Sequence, residues 1–223
     1  MSRQCGAIDQ DKQNAILEAA MDVAAAARPS LAAVASKAGV SRQTVYNQFG
    51  GAAGLNRAVL ERCRAALCEP FEDFPDQPDS GVALAAYVES ALMRMRDARY
   101  RRALRALVQV MPDDKAVANA LCAQISADCT ASLRAFFRQE TRAGRLEGAD
   151  RAEAADEFHA MAMAGTQLRM LAGLCDEDET RDVSARARAV ADRFLQQYST
   201  KRKNTRSTSS RRASSDSRAE NLP

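Results

Sequence analysis

Residues 30–49 read SLAAVASKAGVSRQTVYNQF, and this stretch decides how the rest of the chain is read. Ser30 follows Pro29 and is placed to cap a short helix by accepting a hydrogen bond from its first backbone N–H groups. Leu31, Val34, Ala35 and Ala38 fall at i, i+3, i+4 and i+7, a single apolar stripe. Gly39 supplies the left-handed residue that ends a helix without a Cβ clash, Val40 plugs the corner, and Ser41 caps a second helix. In that second helix Val45 and Phe49 face inward, four residues apart. Arg42, Gln43, Tyr46 and Asn47 point outward near its start. An apolar back with a front of Arg, Gln, Thr, Tyr and Asn suits a helix-turn-helix whose second helix enters the DNA major groove. Arg42 and Gln43 are the predicted base readers, Arg for guanine and Gln for adenine. Ser30, Ser41, Thr44, Tyr46, Asn47 and Gln48 are predicted to position the helix, mainly on phosphates.

The pattern A-G-V-S-x-x-T-x-Y-x-x-F over Ala38–Phe49 resembles the DNA-binding signature of the tetracycline-repressor (TetR/AcrR) family of bacterial regulators. That resemblance implies an all-α fold, with an N-terminal three-helix helix-turn-helix domain followed by a larger helical ligand-binding and dimerisation domain. It also implies a homodimer on a palindromic DNA operator, responding to a small-molecule effector and usually acting as a repressor. Two features depart from the family pattern. The link Ala24–Pro29 is about three residues short and lacks the common Gly-aromatic turn. Gly51 and Ala52 stand where family members commonly carry a polar cap followed by Lys-Glu. Backbone N–H groups at that helix start can still take a phosphate, but the charged contact is missing, so weaker or more tail-dependent DNA binding is expected.

The wider composition agrees with an all-helical chain of 223 residues, rich in alanine, leucine, arginine and glutamate and free of tryptophan. No run approaches the ~20 apolar residues of a membrane span. The polar N-terminus MSRQCGAIDQDKQ does not read as a signal peptide, so a cytoplasmic protein is expected. The net charge of +3 is unevenly spread. Residues 199–223 carry seven Lys/Arg against Asp216 and Glu220, leaving the rest of the chain slightly acidic. The case for nucleic acid therefore rests on local patterning rather than overall charge.

No catalytic constellation is present in the sequence. His159 is the only histidine and reads as a packing residue or a single polar contact among Phe158, Met161 and Met163. No G-x-S-x-G, phosphate loop or cysteine pair with metal-ligand spacing occurs, so no enzyme, cofactor or metal site is expected. Cys122 and Cys129, seven apart with Ile125, Leu133 and Phe136, read as buried apolar fillers of one long helix. Cysteine oxidation replacing a small ligand as the signal is the alternative regulatory reading. A helical enzyme or adaptor explains less, because it leaves Arg42, Gln43 and Tyr46 without a role.

The chain divides into residues 1–56 (DNA-binding), 57–198 (helical body) and 199–223 (a disordered basic tail). Predicted helices span Asp9–Ala27, the two short helices, Ala53–Cys68, Val82–Ala98, Tyr100–Met111, Asp114–Ala143, Arg151–Gly173 and Thr180–Tyr198, with a linker at Pro70–Gly81. The family's effector pockets imply a cavity among the body helices lined by Tyr87, Met95, Leu107, Met111, Ile125, Phe137, Met161 and Met163. The run Arg94, Arg96, Arg99, Arg101, Arg102 and Arg105 reads as including a solvated face. For the dimer, Phe158, Ala162, Gly165 and Arg169 line one stripe and Val183, Ala187, Val190 and Phe194 another, suited to a four-helix bundle between protomers.

Overall fold

Capping chemistry sets the first corners of the chain. In the computed structural model, which describes residues 2–69, 79–150, 152–172, 174 and 183–199, helix α1 (Ser2–Ala24) is followed by α2 (Leu31–Ala38) and α3 (Arg42–Phe49). Ser30 Oγ accepts from the Ala33 N–H at 3.2 Å, and Ser41 Oγ from the Thr44 N–H at 3.0 Å. Between them Gly39 adopts φ +68° and the Val40 N–H returns to the Ala35 carbonyl at 3.0 Å, closing the left-handed stop. Helix α4 (Ala52–Leu67) runs unbroken through residue 56, the expected domain boundary. Helix α1 starts well before the predicted Asp9 and ends three residues before Ala27.

Downstream lie α5 (Ser80–Arg96), α6 (Ala98–Val110), α7 (Lys115–Cys129), α8 (Ala131–Arg142), α9 (Ala152–Met163), α10 (Thr166–Leu171) and α11 (Val183–Tyr198). Asp97 caps α6, accepting from the Arg99 N–H at 2.6 Å, and Asp114 caps α7, accepting from the N–H groups of Ala116 and Val117. The described residues form an all-α fold in which the sole bridge pairs Leu146 with Ser199. None of the helices is long and apolar enough to cross a membrane, counted over the described residues. The predicted tail lies outside the described residues beyond Ser199.

Two predicted helices are each broken in two. The single helix expected over Asp114–Ala143 is interrupted at Thr130, which is fully buried, and its hydroxyl donates to Asp156 Oδ1 at 3.0 Å. Arg134 grips the same carboxylate at 3.0 and 3.1 Å. A buried hydroxyl with a fixed partner outweighs a continuous helical period. The helix expected over Arg151–Gly173 is interrupted at Gly165, whose φ of +74° belongs to a left-handed corner rather than a helix interior.

The helices fall into two compact units. The first contains α1–α4, the last turn of α5, α6, α7 and α10. Here α1, α4 and α6 pack on one another around Ile16, Ala20, Met21, Leu55, Val59, Cys63, Ala103 and Ala106, all at most 2% exposed. The second contains most of α5 with α8, α9 and α11, built on an aromatic cluster. Phe137 stacks on Phe194 at 4.9 Å and 7°, Phe158 meets Phe194 edge-on at 4.9 Å, and Tyr87 tilts against Phe158 at 5.8 Å.

Candidate nucleic-acid interface

Helix α3 has one closed and one open face. Val45 is fully buried against the first unit, while Arg42, Gln43 and Asn47 are exposed and Tyr46 is 53% exposed. Gln43 Nε2 donates to Asn47 Oδ1 at 2.8 Å, an i,i+4 link that pre-orients two amides on the outer face. Ser41 Oγ and Thr44 Oγ1 lie 2.9 Å apart at the N-terminus, and Ser30 stands exposed at the start of α2. Thr44 and Gln48 are half-buried at the flanks. The eight predicted DNA-contacting residues therefore share two adjacent helix starts and the outer face of α3.

Beyond α3 the chain turns through two glycines, Gly50 at φ +70° and Gly51 at φ +106°. Gly51 caps α4 without a side-chain hydrogen bond, and Ala52 and Ala53 are exposed at its first turn. The N–H groups of this helix start are the feature that can receive a phosphate here.

Behind the reading helix, the arginine run is less solvated than expected. Arg102 is tied to Glu18 at 2.5 Å and Asp22 at 2.9 Å, and Arg62 reaches the other oxygen of Glu18 at 2.7 Å. Burial raises the Glu18 pKa, but the Arg62 and Arg102 hydrogen bonds outweigh it and hold the carboxyl below the usual range. Arg94 donates to the Glu69 carbonyl. A cavity of about 270 Å³ opens beside these groups between Glu18, Met21, Arg62, Glu69, Arg99 and Arg102. A neighbouring one of about 220 Å³ is lined by Glu69, Met93, Arg94, Asp97, Arg99 and Tyr100.

Neither cavity is lined by the eight residues singled out as an effector pocket. Met95, Leu107, Met111 and Ile125 belong to the first unit, Tyr87, Phe137, Met161 and Met163 to the second. Tyr87 and Phe137 are buried in the aromatic cluster. Sequence reasoning missed the partner of His159: Tyr87 Oη lies 2.7 Å from its Nδ1. Burial lowers the pKa of the imidazole, against the pull of Asp156, and so favours its neutral form.

The dimer stripes are also redistributed. Phe158, Ala162, Ala187 and Phe194 are each at most 2% exposed within a single protomer, so their side chains serve its own core. Val183 and Val190 are half-buried, Gly165 forms the exposed left-handed corner, and Arg169 is exposed on α10. Two of the most open large apolar side chains lie beside Arg169, Leu168 at 74% exposed and Leu174 at 60%, while Val82, Met93, Val108 and Val117 are more than half exposed elsewhere. Cys122 is exposed rather than buried, and its helix ends at Cys129, so it does not share one long helix with Leu133 and Phe136.

A capped helix-turn-helix with an open polar α3, carried on an all-helical body, defines a DNA-binding regulator. Residues 82–200 match the model of the AefR-like transcriptional repressor C-terminal domain, and the chain belongs to the TetR family of transcriptional regulators. No curated protein matches the chain. Among solved structures, a TetR-family regulator from Mesorhizobium loti MAFF303099 superposes with a TM-score of 0.69 at 18% identity, over 86% of this chain and 98% of that one. The flavonoid-responsive regulator FrrA gives 0.63 at 21% identity, over 86% and 98%. SmeT in its triclosan complex gives 0.61 at 24% identity, over 85% and 92%.

Proposed function

We propose that this TetR-family regulator is a repressor that binds a palindromic operator as a homodimer and leaves it when a small apolar or amphipathic effector binds. The observation that carries the reading is the outer face of α3, where Arg42, Gln43, Tyr46 and Asn47 are exposed opposite the fully buried Val45. Arg42 and Gln43 read base edges; Ser30, Ser41, Thr44, Tyr46, Asn47 and Gln48 hold α3 on the backbone. Functionally, residues 1–56 are the reading head and 57–198 the sensing body, in the cytoplasm.

One short helix reads too few base pairs to find a site in a genome. Two heads related by a two-fold axis read matching half-sites about one helical turn, ~34 Å, or a multiple apart. The second copy associates over the exposed Leu168 and Leu174 beside Arg169. The effector enters the second unit beside Tyr87, Phe137, Met161 and Met163. The Tyr87–His159 pair is its polar anchor and the methionines adapt to its shape. The aromatic compounds named with SmeT and FrrA support an effector of that kind.

Sequencing the genomic DNA that the purified protein retains tests the reading. A recurring two-fold motif, lost when Arg42 and Gln43 are both replaced by alanine, is the expected result. Retention of random fragments by wild type and double variant alike would overturn it.

A further inference from the structure

Two of the cysteines meet although 61 residues separate them. Cys68 closes the C-terminal end of α4 and Cys129 ends α7, with their Sγ atoms 2.6 Å apart. That separation puts the two sulfurs in direct contact, so an S–S bond of ~2.05 Å can form with little movement of the helix ends. The two sulfurs lie crosswise over the helix ends. Cys68 Sγ is 3.5 Å from the Ile125 carbonyl, and Cys129 Sγ is 3.7 Å from the Leu67 carbonyl. Both are half-buried. Cys63, by contrast, is fully buried against Met21, where burial pushes its thiol up to about 12. Cys122 is exposed.

The surroundings distinguish the two members of the pair. The hydrogen bond from Cys129 holds the Cys68 thiol below its ordinary pKa; burial and Asp128 oppose this, and the charges of Arg64 and Arg94 assist it. The same hydrogen bond, with burial, pushes Cys129 up. Cys68, beside the charges of Arg64 and Arg94, is thus the attacking sulfur and Cys129 the resolving one.

We propose that Cys68 and Cys129 are a dithiol oxidation site that hydroperoxides close to a disulfide, tying α4 to α7 and weakening operator binding. The last clause rests on the DNA-binding reading above; the first does not. The Cys68 thiolate attacks the terminal oxygen of ROOH and the O–O bond breaks. The leaving alkoxide (hydroxide, for hydrogen peroxide) takes up the proton that the Cys68 thiol released on ionising and departs as alcohol or water, and Cys68 becomes a sulfenic acid. The Cys129 sulfur then displaces the sulfenic hydroxyl: the S–S bond forms, the S–O bond breaks, and water carries off the Cys129 proton. Two thiols surrender two electrons and one peroxide is reduced, so the step balances. Operator binding is affected because the first turn of α4 packs on the end of α3. A covalent tie at the other end of α4 removes the freedom with which the reading helix settles on DNA.

The test uses the full-length reduced protein, hydrogen peroxide as oxidant, and the duplex recovered from genomic DNA as probe. Alkylation and peptide mapping by mass spectrometry should show two thiols lost and one Cys68–Cys129 linked peptide. Anisotropy should show Kd weakened by about fivefold or more, restored by dithiothreitol. Cys68→Ser and Cys129→Ser should show neither change and Cys122→Ser both. Absence of the linked peptide in the wild type overturns the site. A linked peptide with unchanged Kd overturns its regulatory role. A reduced protein that binds no duplex counts against the DNA-binding reading alone, since the mass readout needs no DNA.

Discussion

Replacing Gly54 by alanine sets two effects against each other, and the structure decides between them. Gly54 lies in the first turn of α4, where alanine is intrinsically better than glycine by ~1 kcal/mol. Propensity alone therefore predicts a more stable protein. A Cβ at this position, however, would lie 1.7 Å from the Phe49 carbonyl oxygen and 2.9 Å from its carbon. Real Cβ atoms stay beyond 3.0 Å, so the carbonyl must retreat by about 1.3 Å. The obstacle is backbone, not the end of a flexible side chain, and overpacking of this kind costs ~1–3 kcal/mol or more.

An approach of 1.7 Å to backbone belongs at the upper end of that range. The clash therefore wins, and Gly54→Ala should lose a net ~2 kcal/mol, or ~4–8 °C in thermal midpoint for a chain of this length. Phe49 is the last residue of α3, so the same retreat tilts the reading helix. Duplex affinity should fall by about tenfold or more, a loss of ~1.4 kcal/mol or above, at temperatures where the variant is still fully helical. Circular dichroism melts and anisotropy on the recovered duplex measure the two losses separately. A Gly54→Ala protein that melts at or above the wild type, with wild-type affinity, would refute the close approach of α4 to α3.

Arg42→Ala should cost ~1–3 kcal/mol on the specific duplex and relax one operator position; equal losses on specific and random DNA would reduce Arg42 to a phosphate contact. Ala52→Lys should tighten binding to all DNA and steepen the salt dependence by about one unit of slope, whereas an unchanged slope would remove the α4 start from the backbone. Glu140, only 3% exposed, is gripped by Arg145 at 2.5 and 2.8 Å and accepts from Ser80; the Arg145 hydrogen bond leads in holding its pKa below 4.5, against burial. Its contribution is present above the unfolded pKa and lost as pH falls through the lower folded one, so urea midpoints of Glu140→Gln should fall less between neutral pH and pH 3 than those of the wild type, and parallel curves would reject this. Leu168→Glu should stay helical but sediment as a monomer with little operator affinity; an intact dimer would move the association surface elsewhere.

What was legible in the sequence was local chemistry. Ser30, Gly39 and Ser41 mark their corners because each performs a backbone task that few residue types perform, and the 3.6-residue period put Val45 inward and Arg42 outward. The breaks at Thr130 and Gly165 were hidden for different reasons. Thr130 stands where the helix breaks with its hydroxyl on Asp156, a partner 26 residues away that no local period reveals. Gly165 lies in a run whose small side chains read equally as a helix interior or a corner. Periodicity also names a stripe without naming what covers it. Phe158 and Phe194 were expected to meet a second copy, and they meet each other and Phe137 instead. Gly54 is the converse case: its residue type reads as a poor helix former, and its reason appears only with the Phe49 carbonyl in place.

The constraints on the reading helix converge on α4. Its first turn presses on the end of α3 at Gly54, its middle buries Leu55, Val59 and Cys63, and Arg62 joins it to α1 through Glu18. Its last turn carries Arg64, paired with Asp128 at 2.5 Å, and the chain then reaches Cys68 beside Cys129. A helix of 16 residues spans ~24 Å, and one buried along its length moves as a rod rather than flexing turn by turn. A displacement of α4 at its Cys68 end is therefore felt at Phe49, with no chain of side-chain rearrangements in between. Gly54→Ala and oxidation of Cys68 act on opposite ends of the same rod, so their effects on affinity should not add. In a Gly54→Ala protein, peroxide should weaken the duplex by less than it does in the wild type. Independent effects of full size in the double perturbation would mean that α4 does not transmit between its ends.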